Sequence, residues 1–281
     1  MKAQKYDRVV NEDGELGVFV PDAIKAVIRT PEELEKARLR ATLTPKKRFH
    51  HGRNYIVSYI DTLSAIICDL SLTEAGAMVK IMLQLRIKSD GKLVKGAAGD
   101  PMNKSDIARL LDRSRSNANA LVSRLVELGL IELKDDGIYV SSRFHTMGGR
   151  IKNGVFTKVY TVKARQTVAN LRLNEIGMLY KIIPFFHYSE YYLCADPNAE
   201  KADIEYIGRE TLAELIGHDA STVSKIMGRL QGVGAVLVTG TRNEVRYLVH
   251  PDLLFRQPEG FKTEWTVAVR KLFDDHAKKS R

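Results

Sequence analysis

Acidic residues are missing from two long stretches of this chain. None occurs between Lys36 and Ile60, which hold Lys36, Arg38, Arg40, Lys46, Lys47, Arg48 and Arg53 with Phe49 and Tyr55 among them. None occurs between Gly137 and Asn174 either, where Arg143, Arg150, Lys152, Lys158, Lys163, Arg165 and Arg172 fall. Such one-sided segments can follow phosphates or enter a minor groove. They can equally be linkers kept soluble by charge, and the sequence leaves both readings open. Cysteine is scarce too. Cys68 and Cys194 lie far apart among apolar residues, which excludes a disulfide framework and reads as two buried thiols in a reducing cytosol.

Other absences narrow the chemistry. No apolar run approaches the roughly 18 residues needed to cross a bilayer, and the opening MKAQKYDRVV has no apolar core of a signal peptide, so a cytoplasmic protein without a membrane partner is expected. No Gly-rich loop ends in Gly-Lys-Ser/Thr, and no nucleophile elbow or zinc-type cysteine spacing appears. The seven histidines form no ligand spacing, and the adjacent His50 and His51 point their side chains apart. The expectation is a non-enzyme with no catalytic residue, cofactor or metal.

What is present is a basic, core-forming chain. Its 281 residues are 44% apolar, and 44 Lys and Arg against 34 Asp and Glu give a formal charge of +10. Length and apolar content suggest about two domains. The charge favours a polyanionic partner, nucleic acid first.

The most informative stretch is MNKSDIARLLDRSRSNANALVSRLVELGLIEL, residues 102–133. Ile107, Leu110 and Leu111 mark one short amphipathic helix, and Leu121, Leu125 and Leu128 a second. Residues 112–114 form the turn between them, Ser114 caps the second helix and Gly129 ends it in a left-handed conformation. Leu130, Ile131 and Leu133 then form a strand, 134–137 a turn, and Ile138, Tyr139 and Val140 a returning strand. A helix-turn-helix with a hairpin behind it resembles the winged-helix DNA-binding fold, and SRLVELGLIEL is similar to its helix-to-wing passage. The alternative is the same pair of hairpins used for packing alone.

The second half repeats the first. LSLTEAGAMVKI at 70–81 aligns with LRLNEIGMLYKI at 171–182, identical at six of twelve positions, including Glu74/Glu175, Gly76/Gly177 and Lys80/Lys181. Residues 102–133 align without gaps with 207–238, matching Ala108/Ala213, Leu110/Leu215, Ser116/Ser221, Arg124/Arg229, Leu125/Leu230 and Gly129/Gly234. Gly217 supplies the second turn, Asp219 or Ala220 starts the second helix, and 239–244 forms a wing before the strand VRYLV. Two copies preserving the turn, the Arg and the glycine weigh against packing alone.

The fold expected is α+β, mainly α, with two tandem winged helix-turn-helix domains and helical extensions at both ends. Residues 1–55 are an N-terminal extension with a basic arm, containing a candidate strand at 16–20 and a helix from Thr30 to about Leu43. Residues 56–142 form the first domain, opened by a helix with Thr73 as its cap and Ala77, Ile81 and Leu85 on one face. Residues 143–157 are a basic linker, 158–257 the second domain, and 258–281 a C-terminal amphipathic helix and basic tail. In that last helix Thr263 is the cap and Trp265, Ala268, Val269 and Leu272 share a face.

The base-reading residues expected in the first domain are Arg113, Arg115, Ser116, Asn117, Asn119, Ser123 and Arg124, since Arg can bond guanine and Asn adenine in bidentate fashion. The second domain offers His218, Ser221, Thr222, Ser224, Lys225 and Arg229. Its wing supplies Arg242 and Arg246 for phosphates, whereas the first wing, LKDDG, is acidic. Lys46, Lys47, Arg48, Arg53, Arg150, Lys152 and Lys158 are the candidate phosphate contacts of arm and linker. Base discrimination therefore leans on the first copy.

Two related winged helices in one chain resemble theta-type plasmid and phage replication initiators. More locally, FTKVY, the LNEIG helix start, the helix-turn-helix and YLVHPDLLFR, spanning about 155–256, resemble RepL-type plasmid replication proteins and related phage proteins. His250 stands where that family more usually has asparagine before proline. The resemblance implies sequence-specific binding of double-stranded DNA at repeated origin sites, with host replication machinery as a downstream partner. A second copy of the chain is a further candidate partner. A phage or plasmid transcriptional regulator binding promoter operators, and an architectural or partition adaptor, are the rival readings.

Overall fold

The computed structural model describes residues 8–10, 16–18 and 54–279, apart from 88, 97, 149, 150, 152, 153, 242, 243 and 259–262. Two units separate, Met1–His50 and His51–Arg281. In the first, strands β1 (Arg8–Val10) and β2 (Leu16–Val18) pair antiparallel, Val10 opposite Leu16. The expected helix from Thr30 and the basic arm with Lys46, Lys47, Arg48 and Arg53 lie outside the described residues.

The second unit is α+β with more helix than strand. Its first half runs β3 (Tyr55–Tyr59), α1 (Ile60–Ser64), α2 (Leu72–Met82), β4 (Val94–Lys95), β5 (Asp100–Pro101), α3 (Lys104–Leu111), α4 (Arg115–Glu127), β6 (Ile131–Lys134), β7 (Gly137–Val140) and β8 (His145–Thr146). The second half repeats that order with β9 (Phe156–Tyr160), α5 (Thr161–Val168), α6 (Leu173–Lys181), α7 (Arg209–Ile216), α8 (Ala220–Gly232), β10 (Val236–Gly240), β11 (Val245–Val249) and β12 (Leu254–Phe255). Helix α9 (Glu264–Lys279) closes the chain. Among the described residues, β4 and β5 have no named counterpart in the second half, where two 3₁₀ turns, Ile183–Phe185 and Lys201–Asp203, occupy the corresponding loop.

The halves meet around a local two-fold axis. Strands β3 and β9 pair antiparallel with Val57 opposite Lys158, residues that occupy the same place in the two repeats. Tyr55 then faces Tyr160, and Tyr59 faces Phe156. Strand β8 continues the sheet beyond β3, with Ser58 opposite His145, and β12 does the same beyond β9, with Val159 opposite Leu254. Helices α2 and α6 cross with equal reciprocity. A Cβ on Gly76 would lie 1.8 Å from the carbonyl oxygen of Leu173, and one on Gly177 would lie 1.9 Å from that of Leu72. Only glycine allows backbones this close, which explains why the pair is kept in both repeats.

Because each of these helices is covered from several sides, α2 is apolar around most of its surface rather than along one stripe. Ala75, Gly76, Ala77, Met78, Val79, Ile81 and Met82 are all buried. Its cap is Ser71, not Thr73: the Ser71 hydroxyl accepts from the Glu74 N–H while the Glu74 carboxylate accepts from the Ser71 N–H. A buried polar chain also crosses between the halves. His145 Nδ1 lies 2.9 Å from Ser58 Oγ and its Nε2 lies 2.8 Å from the Tyr180 hydroxyl. Burial pushes His145 down to about 3, so the ring stays neutral and serves as a tie rather than a base.

The segment expected to be a linker contributes β8 and the start of β9 to this shared sheet. Lys158 is correspondingly no phosphate contact. It is buried, donates to the Gln257 carbonyl at 2.8 Å and lies over the Tyr55 and Phe255 rings. Cys194 is buried as expected, but Cys68 is exposed, its thiol 3.1 Å from the Leu215 carbonyl of the other repeat. On α9 the inward stripe is Thr266, Val269 and Phe273; Trp265 is half-buried, and Ala268 and Leu272 are exposed. The Tyr191 hydroxyl meets Thr266 Oγ1 at 2.6 Å, Arg270 pairs with Asp252 at 2.8 Å, and Phe273 packs against His250. These contacts set the helix's rotation, and Thr263 caps it as its sequence predicts.

Candidate nucleic-acid interface

Helices α4 and α8 occupy equivalent positions and are seated alike. In α4, Ala118, Val122 and Leu125 face the core, and Asp112 in the left-handed conformation (φ 53°) turns the chain out of α3. In α8 the buried residues are Val223, Ile226, Met227 and Leu230, and Gly217 (φ 69°) makes the turn. Ser114 Oγ accepts from the Asn117 N–H at 3.4 Å, while Asp219 Oδ1 accepts from the Thr222 N–H at 2.7 Å and from the Ser221 hydroxyl at 2.6 Å. Those donors, the Ser221 hydroxyl foremost, hold the Asp219 carboxyl well below the usual carboxylate range.

With the core faces fixed, the opposite faces are open. Arg113, Arg115, Ser116, Asn117, Asn119 and Ser123 are all exposed and lie together on or just before α4. On α8, Ser221, Ser224 and Lys225 are exposed and Thr222 is half-buried. The first face offers guanidinium and amide groups; the second offers hydroxyls and one ammonium.

Several expected residues are engaged elsewhere. Arg124 lies 3.8 Å from Glu74 and 3.0 Å from Glu127, and also donates to the Asp69 carbonyl. Its counterpart Arg229 pairs with Glu175 at 3.4 Å. The two arginines thus bridge the exposed helices back to α2 and α6. The preserved lysines do similar work: Lys80 Nζ donates to the Leu110 carbonyl and Lys181 Nζ to that of Ile216, at the C-terminal, negative ends of α3 and α7. His218 is half-buried beside Lys181, and desolvation, then that lysine's charge, lowers its pKa. Arg246 is paired with Glu244 and stacked over the Tyr206 ring, 4.1 Å from its centre. Arg242, Arg150 and Lys152 lie outside the described residues.

The first hairpin also differs from its sequence reading. Asp136 of the first hairpin is held by Lys92 and by the Tyr139 hydroxyl, both at 2.8 Å, and Lys134 sits 4.3 Å from the centre of the Tyr139 ring. Lys92 comes from the β4 approach, far from the LKDDG phrase, so local sequence overstated the acidity there.

One cation was missed. Arg209, the first residue of α7, lines a groove of about 460 Å³ with Ala220, Ser221, Ser224 and Lys225, and borders a second depression with Tyr206, Glu210, Glu244 and Arg246. The repeat alignment pairs Arg209 with Lys104, so two cations opening equivalent helices were the available signal. Among the described residues, no three His, Cys, Asp or Glu side chains form a metal-holding group, and no helix is long and apolar enough to cross a membrane. No known protein family, curated protein or solved structure matches the chain.

Proposed function

We propose that this chain is a tandem winged-helix protein that binds double-stranded DNA sequence-specifically, as a plasmid or phage replication initiator acting at repeated origin sites. The observation that carries the DNA-binding part is the local two-fold axis relating two outward-facing second helices, α4 and α8, each preceded by a left-handed turn and followed by a hairpin. Duplex DNA has local dyads of its own, so a pair of helices related in this way suits two successive major-groove segments. One chain then acts as its own dimer, and its target is two unlike half-sites about an approximate dyad. The net charge of +10 adds a sequence-independent attraction to phosphates.

The initiator assignment rests on the resemblance of residues 155–256 to RepL-type proteins, with host replication machinery downstream. The test is selection of bound fragments from the source genome by the purified full-length chain, followed by footprinting. Several repeats in an A·T-rich region that support autonomous replication are expected. One or two sites over promoters would make the protein a regulator, and no enriched sequence would leave a non-specific architectural binder.

A further inference from the structure

We propose that Arg209 and Lys225 form a phosphate clamp in the second repeat, holding one oxyanion of a duplex backbone in the groove between the start of α7 and the exposed face of α8. The inference rests on the DNA-binding reading and assigns a distinct task to this groove. Arg209 and Lys225 are its two charged linings, Ser221 and Ser224 add hydroxyls, and no carboxylate lines it. The nearest acid in sequence on α8, Asp219, is already occupied by Ser221 and Thr222, while Glu210 belongs to the neighbouring depression. Ser221 spends its proton on Asp219, so Ser224 is the hydroxyl left to join the two cations.

The first repeat keeps Lys104 for Arg209 and Ser116 for Ser221 but lacks the second cation. Ala120 stands where Lys225 stands, and Asp106 stands where Thr211 stands. That Asp106 carboxylate closes the start of α3, accepting from the Asn103 N–H at 3.0 Å and from Lys95 at 2.8 Å. Helix α7 instead begins after Gly208, which provides no side-chain cap. A negative group therefore already occupies the equivalent position in the first repeat, whereas the second has two cations and uncapped backbone N–H groups.

Binding of the full-length chain to a selected duplex and to a random duplex, titrated across salt concentration, tests the assignment. Arg209→Gln and Lys225→Gln should each reduce the slope of log affinity against log salt by about one, and equally on both duplexes. Arg209→Lys should restore it, and Lys104→Gln, the first-repeat counterpart, should leave it unchanged. Lys225 is exposed, so its variant keeps the test decisive should an Arg209 variant misfold. An unchanged slope in Lys225→Gln while the wild type binds normally would overturn the clamp, as would a loss confined to the selected sequence. Failure of the wild type to bind either duplex would remove the DNA-binding reading itself.

Discussion

The two repeats agree in what they bury and differ in what they show. Glu74/Glu175, Lys80/Lys181, Arg124/Arg229 and Gly76/Gly177 are identical pairs, and every one is engaged in a contact within the scaffold. On the exposed helices the pairs Arg115/Ala220, Asn117/Thr222, Asn119/Ser224 and Ala120/Lys225 have diverged, while Ser116/Ser221 is kept. Identity between copies thus marks shared packing, and divergence marks surfaces free to take different tasks. This reverses the weight that sequence alone gives to the shared arginine on the second helix, which here ties that helix to the core.

The largest effect should come from breaking the dyad. Gly76→Ala places a methyl group against the Leu173 carbonyl and Gly177→Ala does the same at Leu72, backbone atoms that yield only if α2 and α6 separate. Each change should destabilise the chain by about 3 kcal/mol or more. Urea unfolding should place the two midpoints close together with similar slopes. A well-tolerated change at one glycine and a severe one at the other would show that the halves do not share the crossing equally.

Next comes acid sensitivity, where the repeats are unlike. His145 in β8 corresponds to Leu254 in β12. The unfolded chain binds a proton at this histidine below about pH 6.5, but the native chain does not until about pH 3. Stability should therefore fall as pH drops through that window, by about 1.4 kcal/mol per pH unit for this one group, and level off for it below about 3. His250, pushed down to about 4 chiefly by burial, adds a second such group from the other repeat. His145→Leu should cost stability at neutral pH, because Ser58 and Tyr180 lose their partner, yet flatten the acid slope by one proton. An unaltered slope would mean that His145 does not set it.

The proposed division of labour on the surface can be tested with Arg115. Arg115→Ala should weaken binding to a selected duplex by about 1–3 kcal/mol and relax preference at one base position, with little change on random DNA. Equal losses on the two duplexes would make Arg115 another phosphate contact and remove the distinction between a base-reading first repeat and an anchoring second.

Local patterns read well from the sequence because their causes are local. The turn glycines Gly129, Gly217 and Gly234 have positive φ, Ser114 and Thr263 cap their helices, and both hairpins fall where the period changes from helix to strand. What could not be read was anything decided by residues distant in sequence. Lys158 sits in a basic stretch, yet strand pairing and two aromatic rings claim it. Cys68 has apolar neighbours but lies at the surface against the other repeat. The stripe on α9 follows the Tyr191 hydroxyl and Asp252, partners distant in sequence. Of the candidate interface, the exposed face of α4 was legible because it lies opposite an apolar stripe. The groove beside Arg209 was not, since it exists only where two helices meet.

The smallest effect separates the two caps. Asp219 accepts at 2.7 Å as a carboxylate at the positive end of α8, while Ser114 accepts at 3.4 Å as a neutral hydroxyl on α4. Asp219→Ala should lower the melting temperature by about 2–4 °C, and Ser114→Ala by roughly half of that or less. The carboxyl is ionised more readily in the folded chain than in the unfolded one, so its contribution is present above the usual carboxylate range and is lost as pH falls through its lowered folded pKa. The Ser114 contribution has no such dependence. Melting curves at neutral and strongly acidic pH should therefore show the Asp219→Ala deficit shrinking while the Ser114→Ala deficit stays constant. A constant deficit at both positions would show that geometry rather than charge distinguishes the starts of α4 and α8.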